Sequence, residues 1–305
     1  MATTIFLCLA ILVSLLGVGL AKVLNQNQRF DNNNCGRFLY RGFEPNGLHR
    51  DKTIARICQC YQGADYFATM YDRNRLIALY SAYVYGTQPA GGRGQNLCGD
   101  RIVNDTYTCG RGRWCIEPEL IAENIAQRNM EECPGNRPEQ KPWLDKVKGS
   151  QAVDQDYIGT QYTRAHLNPN GHNTVTDAKA ATFTLTNAVP QIQTLNELWA
   201  KQYENKMQYF IKYVASGPCP SAYVLTGAIP SNNKMNERVT IPSSIWSAFC
   251  CVNNGNPTGS MAFWLENDPN VTNIEIMTLR NLQNKLGRRL KAQVTLFQNN
   301  CEMPA

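Results

Sequence analysis

The chain has 305 residues, a formal net charge of +6 at pH 7 and 12 cysteines. That length suffices for a large hydrophobic core, and there is no internal repeat, low-complexity linker or composition shift, so we expect one domain. The moderately basic balance favours a polyanionic partner without identifying one. Beyond the N-terminus no run approaches 18 consecutive apolar residues, which excludes a later transmembrane helix.

The N-terminus has the pattern of a secretory signal. Residues 4–20 are apolar, broken only by small residues, and residues 19–21 (GLA) offer the small-x-small site of a signal peptidase. We therefore expect a signal peptide over residues 1–21 and a secreted mature domain over residues 22–305, without stable membrane association. A membrane anchor is the alternative, but the run is short for a full span. Two N-glycosylation sequons agree with export; they begin at Asn104 and Asn270.

The cysteines indicate an oxidising compartment. Removing the signal peptide takes away Cys8 and leaves 11 of the 12 cysteines, an odd number. One free thiol or an intermolecular bridge follows, which leaves a homodimer, disulfide-linked or non-covalent, open. A zinc site is poorly supported, because neither Cys58 and Cys60 nor the adjacent Cys250 and Cys251 have zinc-ligand spacing. Intramolecular disulfides are the better interpretation.

The first half of the chain predicts a β-hairpin and a helix. Residues 65–70 and 75–85 are rich in β-branched and aromatic side chains, on either side of a turn at residues 72–74. The loop over residues 86–95 (GTQPAGGRGQ) lacks the GK[ST] ending of a phosphate-binding P-loop. Residues 119–132 are compatible with a helix that ends before Pro134.

The second half predicts a long amphipathic helix among several strands. A short strand over residues 182–186 leads into a turn at Pro190, and Thr194 is the expected N-cap of the helix. Apolar residues at three- and four-residue spacing define the helix: Leu195, Leu198, Trp199, Tyr203, Met207, Phe210, Ile211 and Val214. Further strands are expected at 222–226, 246–252, 261–265 and 293–297, and a helix at 278–290. Without regular βαβ alternation, the fold class is α+β, with a mixed central β-sheet flanked by helices.

Three polar residues suit hydrolysis of a phosphodiester with one metal ion. His166 has an intrinsic pKa near neutrality and can act as the base for the attacking water. Mg²⁺ prefers oxygen ligands and keeps most of its waters, so the amide of Asn196, near the start of the long helix, suffices as its anchor. Glu204 lies about 12 Å further along the helix axis. Its carboxylate can hold a metal-bound water that protonates the leaving 3′ oxygen.

Each of these residues also has an ordinary structural interpretation. A lone histidine in a loop is more often a hydrogen-bonded structural residue than a base. An asparagine near a helix start is usually a cap, and a glutamate on a polar helix face is usually solvated. Their order and spacing, rather than any one of them, therefore carry the functional hypothesis.

The stretch that contains these residues resembles a known family. Residues 162–169 (YTRAHLNP) are similar to the stretch around a D-R-G-H motif, and residues 185–191 (LTNAVPQ) to a strand ending in L-[ST]-N-x-x-P-Q. An L-N pair, then Trp and Glu, follow there, as Leu195, Asn196, Trp199 and Glu204 do here. The family is that of the DNA/RNA non-specific endonucleases (the His-Me finger, or ββα-metal, group). The vertebrate secreted endonuclease-domain-containing proteins look closest, and the resemblance covers nearly the whole mature chain.

The resemblance implies a function and a set of site residues. It implies a ββα-metal active site in which His166 is the general base, Asn196 binds Mg²⁺ (or Mn²⁺), and Glu204 is a supporting carboxylate. It also implies cleavage of DNA and RNA without sequence specificity, giving 5′-phosphate and 3′-hydroxyl products. A larger set of residues is implied to support the site or to steady the scissile phosphate: Arg164, Asn187, Arg111 and Arg113. For the last two arginines, a solvated loop position is the alternative.

The chain departs from the family pattern at three positions. Thr163 stands in place of the motif aspartate and Ala165 in place of its glycine, and Gln208 replaces an arginine expected beyond the helix glutamate. Alanine is harmless if φ is negative there and costs about 1 kcal/mol or more if φ is positive. These departures motivate the alternative function, a catalytically impaired homologue that binds nucleic acid or another ligand outside the cell.

Two further features carry competing interpretations. The basic cluster near the C-terminus is either a non-specific nucleic-acid contact or favourable charge at the end of a helix. It consists of Lys285, Arg288, Arg289 and Lys291. His172 either binds phosphate, responds to pH, or is an ordinary loop residue.

Overall fold

The computed structural model describes residues 23–24, 27–31, 34–49, 53–86, 109–110, 112–121, 130–135, 137–211 and 219–302. The predicted signal peptide, most of the loop at 86–95, the sequon at Asn104 and the candidate residue Arg111 lie outside these residues. Within the described part, no helix combines the length and the apolar character needed to cross a bilayer.

The described part consists of twelve strands and five α-helices. The strands are β1 (Val23–Leu24), β2 (Ile54–Tyr61), β3 (Ala64–Asp72), β4 (Ile77–Val84), β5 (Cys115–Ile116), β6 (Glu131–Glu132), β7 (Tyr162–His166), β8 (Ala188–Ile192), β9 (Ser221–Met235), β10 (Val239–Asn253), β11 (Asn256–Glu266) and β12 (Glu275–Met277). The helices are α1 (Lys141–Lys148), α2 (Thr176–Ala181), α3 (Gln193–Trp199), α4 (Asn205–Tyr209) and α5 (Leu279–Leu290). A π-helical turn, Ala200–Glu204, joins α3 to α4.

Eight strands form the central sheet, in the order β1-β2-β3-β4-β9-β10-β11-β12. Every neighbouring pair of strands in this sheet is antiparallel, whereas a mixed sheet was expected. The α+β fold class is confirmed. All of β4 is buried because both faces of the sheet are covered. Gly227 in β9 has to be glycine, since a Cβ there would lie 2.4 Å from the Leu79 carbonyl oxygen and from the Trp246 ring.

The two faces of the sheet carry separate hydrophobic layers. On one face, the β7–β8 hairpin and the helix α3–π-turn–α4 contribute Ala165, Leu195 and Trp199 to the core. On the other face, α5 contributes Leu282 and Leu286 among its buried residues. Each leucine among these side chains, when fully buried, stabilises the fold by about 1.5–3 kcal/mol. The candidate site residues on the hairpin and the basic cluster on α5 therefore lie on opposite faces of the sheet.

Disulfides link the described elements, as the cysteine content predicts. The bonded pairs are Cys35–Cys58, Cys109–Cys115, Cys219–Cys251 and Cys250–Cys301. The adjacent Cys250 and Cys251 belong to opposite faces of the sheet, because successive side chains of a strand alternate. Disulfides therefore link strand β10 to the hydrophobic layer on each face of the sheet. Among the described cysteines, Cys133 is the free one, and whether it bridges to a second chain stays a prediction.

Several sequence-predicted elements differ from the structure. The helix expected at 119–132 is contradicted at its two described ends, where Pro118–Leu120 form a 3-10 turn and Glu131–Glu132 form β6, paired with β5. Residues 122–129 lie outside the described residues. The strand expected at 182–186 lies instead at β8, with Pro190 inside it. Proline is accepted there because β8 pairs with β7 alone, so one of its edges needs no backbone donor. Residues 293–297 contribute only an isolated bridge, through Thr295.

The long amphipathic helix is confirmed in part. It begins at Gln193 with Ile192 as its N-cap, so the expected cap at Thr194 is wrong. The π-helical turn interrupts it, because the amide of Asn205 donates to the carbonyl of Ala200, five residues back. The hairpin expected around residue 72 is confirmed as β3 and β4. The helix expected near residue 278 is confirmed as α5, capped by the Thr278 hydroxyl, which accepts from the Asn281 amide.

Candidate active site

A hairpin followed directly by a helix forms the framework of the candidate site. Strand β7 pairs antiparallel with β8, in the register Tyr162 with Ile192 and His166 with Ala188. Helix α3 starts at the next residue, Gln193, and contacts both strands. This is the ββα arrangement that the resemblance implies. His166 ends one strand, and Asn196 lies in the helix that returns across the hairpin.

Aromatic rings surround His166. Its ring centroid lies 4.9 Å from that of Trp114 and 4.9 Å from that of Phe183. Its Nε2 is buried and makes no hydrogen bond to any described residue. Burial lowers the pKa of His166 to about 4, below the near-neutral value expected from its type. The imidazole is therefore neutral at physiological pH, and it can accept a proton.

Arg164 lies on the same face of β7 as His166, because side chains two residues apart in a strand point the same way. Its guanidinium forms an ion pair of 2.7 Å with Asp154 and donates to the Asp154 carbonyl oxygen at 2.8 Å. It also lies 4.8 Å from the Tyr157 ring centroid and 5.9 Å from that of Trp114. Arg164 thus supports the aromatic wall beside His166.

The two unusual motif residues lie on the opposite face of β7 from His166. Ala165 has a negative φ within the strand, and its methyl group is buried in the core, with 1% of the residue exposed. Alanine is therefore unstrained at this position. The Thr163 hydroxyl donates to the carbonyl oxygen of Gln191 at 3.1 Å, which adds a link across the hairpin. Neither residue displaces the histidine.

Asn187 is fully buried and makes four hydrogen bonds. Its Oδ1 accepts from the Ser81 hydroxyl at 2.8 Å and from the Asn168 amide at 2.9 Å. Its Nδ2 donates to the carbonyl oxygens of Asn168 at 3.1 Å and Thr182 at 2.9 Å. These bonds tie the loop that follows His166 to strand β4. Asn187 has no hydrogen-bonding capacity left for a substrate.

Asn196 and Glu204 retain free polar groups. Neither the Asn196 amide nor the Glu204 carboxylate makes a side-chain hydrogen bond within the described residues. Burial raises the pKa of Glu204 to about 7, so this carboxyl exchanges a proton near neutrality. It ends the π-helical turn, a local distortion that is frequent at functional sites.

These residues fit a hard divalent cation that keeps most of its waters. The described residues contain no group of three or more His, Cys, Asp or Glu side chains that could enclose a metal. An ion held by the Asn196 amide oxygen, with Glu204 contacting its water, suits Mg²⁺, which binds few protein ligands. A fully enclosed transition-metal site does not suit this set of residues.

The remaining predicted residues are the two arginines before Trp114 and the basic cluster on α5. Arg113 is exposed next to Trp114, whereas Arg111 lies outside the described residues. On α5, Lys285 pairs with Glu275 at 2.5 Å and Arg289 pairs with Glu266 at 2.5 Å. Arg288 and Lys291 are exposed. The cluster is not brought together with His166, and its contact with nucleic acid stays a prediction.

Two aromatic residues beside His166 were not predicted from the sequence, and the burial of His172 was not predicted either. Trp114 and Phe183 form the walls beside His166, and His172 is buried, with Nδ1 2.9 Å from the Tyr83 hydroxyl. Trp114 could have been found from its place directly after the candidate residue Arg113. His172 follows Asn170-Gly171, a turn signal that gives no indication of burial.

The chain belongs to the DNA/RNA non-specific endonuclease family, whose pattern residues 116–299 match. That segment contains β7, β8 and α3, together with His166, Asn196 and Glu204. The recognition made from the sequence is therefore confirmed.

Relatives of known name share the domain. The chain is 31% identical over 268 residues to the human Endonuclease domain-containing 1 protein, which covers 88% of this chain and 47% of that protein. The mouse protein of the same name is 30% identical over 268 residues, with the same coverage. Nuclease EXOG, mitochondrial, from Xenopus laevis is 26% identical over 181 residues, 52% of this chain and 46% of that protein. The chain spans about half the length of these relatives.

Among solved structures, a crystal structure of the EndoG/EndoGI complex is similar, at 14% identity and a TM-score of 0.43. The similarity covers 77% of this chain and 87% of that chain. It is too distant to add to the family assignment.

Proposed function

We propose that the protein is a secreted, metal-dependent nuclease that hydrolyses phosphodiester bonds of DNA and RNA without sequence preference. The observation that carries this proposal is the ββα unit with three side-chain groups that make no hydrogen bond within the described residues: the buried Nε2 of His166, the half-buried Asn196 amide and the half-buried Glu204 carboxyl. Family membership supports the nuclease class. The disulfides and the exposed sequon at Asn270 support export.

The side chains have complementary tasks in this reaction. His166, neutral at pH 7, takes a proton from the attacking water. An adjacent phosphate raises its pKa, because negative charge favours the imidazolium. The Glu204 carboxyl, half protonated near pH 7, returns a proton to the leaving 3′ oxygen, directly or through a water. Mg²⁺ or Mn²⁺, when bound through Asn196, stabilises the negative charge that develops on the phosphate.

The competing function, an impaired homologue that only binds, rests on Thr163, Ala165 and Gln208. Ala165 is unstrained, and Thr163 faces away from His166. Gln208 donates to the Gly171 carbonyl oxygen at 3.1 Å and so has a structural task of its own. None of the three disturbs the base, which favours cleavage.

A direct assay tests the proposal. Purified protein is incubated with plasmid DNA and with RNA in Mg²⁺ or Mn²⁺, beside a chelator control and the variants His166→Ala and His49→Ala. We expect cleavage that needs the metal, falls at least about 100-fold in His166→Ala, and persists in His49→Ala. Cleavage by His166→Ala at the wild-type rate removes the proposed base. Binding of DNA without any cleavage by the wild type supports the competing function.

A further inference from the structure

His172 connects the loop that follows His166 to the helix that carries Glu204. The residue lies in a 3-10 turn, Asn170–His172, and is 1% exposed. Its Nε2 lies 3.2 Å from the carbonyl oxygen of Glu204, and its Nδ1 lies 2.9 Å from the Tyr83 hydroxyl. The ring therefore bridges strand β4 and the end of the π-helical turn.

The partners of the ring determine where its proton lies. A carbonyl oxygen can only accept, so Nε2 carries the hydrogen and donates it to Glu204. In a neutral imidazole Nδ1 must then accept, and the Tyr83 hydroxyl donates to it. Burial lowers the pKa of His172 to about 4, which keeps the ring neutral at physiological pH.

A chain of buried hydroxyls continues this arrangement into the sheet. The Tyr83 and Tyr203 hydroxyl oxygens are 3.3 Å apart, and the Ser247 hydroxyl donates to that of Tyr203 at 2.7 Å. Tyr203 belongs to the π-helical turn itself. The turn is thus held from two sides, by His172 at Glu204 and by the sheet hydroxyls at the preceding residue.

A second contact holds the same loop to the helix one turn further on. The Gln208 side chain donates to the carbonyl oxygen of Gly171 at 3.1 Å. This loop begins three residues after His166, at Pro169, and is itself tied down by Asn173, whose Nδ2 donates to the Pro169 carbonyl oxygen. A short series of hydrogen bonds therefore links the loop after His166 to the helix that carries Glu204.

We propose that His172 is a positioning residue for Glu204. The hydrogen bond to the Glu204 carbonyl fixes the backbone of that residue, and hence the direction in which its carboxyl leaves the π-helical turn. The inference rests on the proposed nuclease function, and it assigns a task to a histidine that itself does not contact the substrate.

Two substitutions separate positioning from mere stability. His172→Phe fills the space without a donor, whereas His172→Gln keeps an Nε2 donor at a similar reach. His49→Phe is the matched control. We expect His172→Phe to lower kcat about 10- to 100-fold with KM within about twofold, and His172→Gln to recover much of that loss. A folded His172→Phe with wild-type kcat, or a His172→Gln as slow as His172→Phe, overturns the proposal.

Measurements without substrate keep this outcome separate from the proposed function. ¹⁵N NMR of the wild-type imidazole should show a protonated Nε2 and an unprotonated Nδ1 on His172. Amide hydrogen exchange over residues 200–209 should quicken in His172→Phe and stay slow in His172→Gln. If the wild type cleaves nothing, the nuclease proposal fails, while an unprotonated Nε2 or unchanged exchange refutes the link between His172 and Glu204.

Discussion

Restoring the family glycine at position 165 should harm this protein rather than improve it. Ala165 is buried in a strand with a negative φ, so its methyl group packs without strain. Removing one buried methyl group costs about 0.8 kcal/mol. Glycine in a strand costs a further 0.5–1 kcal/mol or so in backbone entropy. Ala165→Gly should therefore lower the free energy of unfolding by about 1.5 kcal/mol, or about 3–6 °C in Tm for a domain of this size.

Denaturant unfolding and plasmid cleavage, measured on the same preparations, test this reasoning. Ala262→Gly is the matched control, since Ala262 is equally buried in β11 but packs in the layer on the other face of the sheet. Both variants should lose similar stability, and neither should cleave faster than the wild type. A more stable Ala165→Gly, or one that cleaves tenfold faster, would mean that the alanine strains the strand and that the argument from φ is wrong.

Three further predictions follow from buried and paired groups. As the pH is lowered from 6.5 to 4, the free energy of unfolding should fall, because the pKa of buried His172 is about 4 and the unfolded state takes up the proton first. Denaturant unfolding should show that the wild type loses about 3 kcal/mol more than His172→Phe over this pH range. Asn187→Ala should destabilise the protein by about 2–4 kcal/mol, measured the same way, since four hydrogen bonds to Ser81, Asn168 and Thr182 are lost. Replacing Lys285 and Arg289 by alanine should reduce DNA cleavage less than Arg113→Ala does, when cleavage is measured over a series of salt concentrations. Lys285 and Arg289 are both ion-paired on the sheet face opposite the candidate site.

Local patterns predicted the elements whose own residues determine them. The alternating aromatic and β-branched residues on either side of residue 72 predicted β3 and β4, and Thr278 predicted the start of α5. The turn predicted at Pro190 is wrong, because a proline in a turn and a proline in an edge strand look alike in the sequence. Which one applies depends on whether a neighbour pairs on that side, and only the tertiary structure decides this.

Only those site residues that belong to the spaced motif could be predicted from the sequence. The hairpin and helix lie where the order of the motif requires, while the roles of His166, Asn196 and Glu204 stay predictions. His172 could not be found in this way, since its partner Tyr83 lies 89 residues earlier in the chain. The π-helical turn was also unpredictable, because the periodicity of its apolar residues is nearly that of an α-helix.

The hydrogen bonding around the site separates two kinds of polar residue. Asn187 and His172 use their side-chain groups on the protein itself, which is the pattern of residues that hold a structure. His166 Nε2 and the Glu204 carboxyl have perturbed pKa values and make no hydrogen bond within the described residues. Leaving the buried Nε2 of His166 without a hydrogen bond costs stability, and a protein that only bound nucleic acid would gain nothing from it. A hydrolase needs both groups free to exchange protons, which is why the geometry favours cleavage over binding alone.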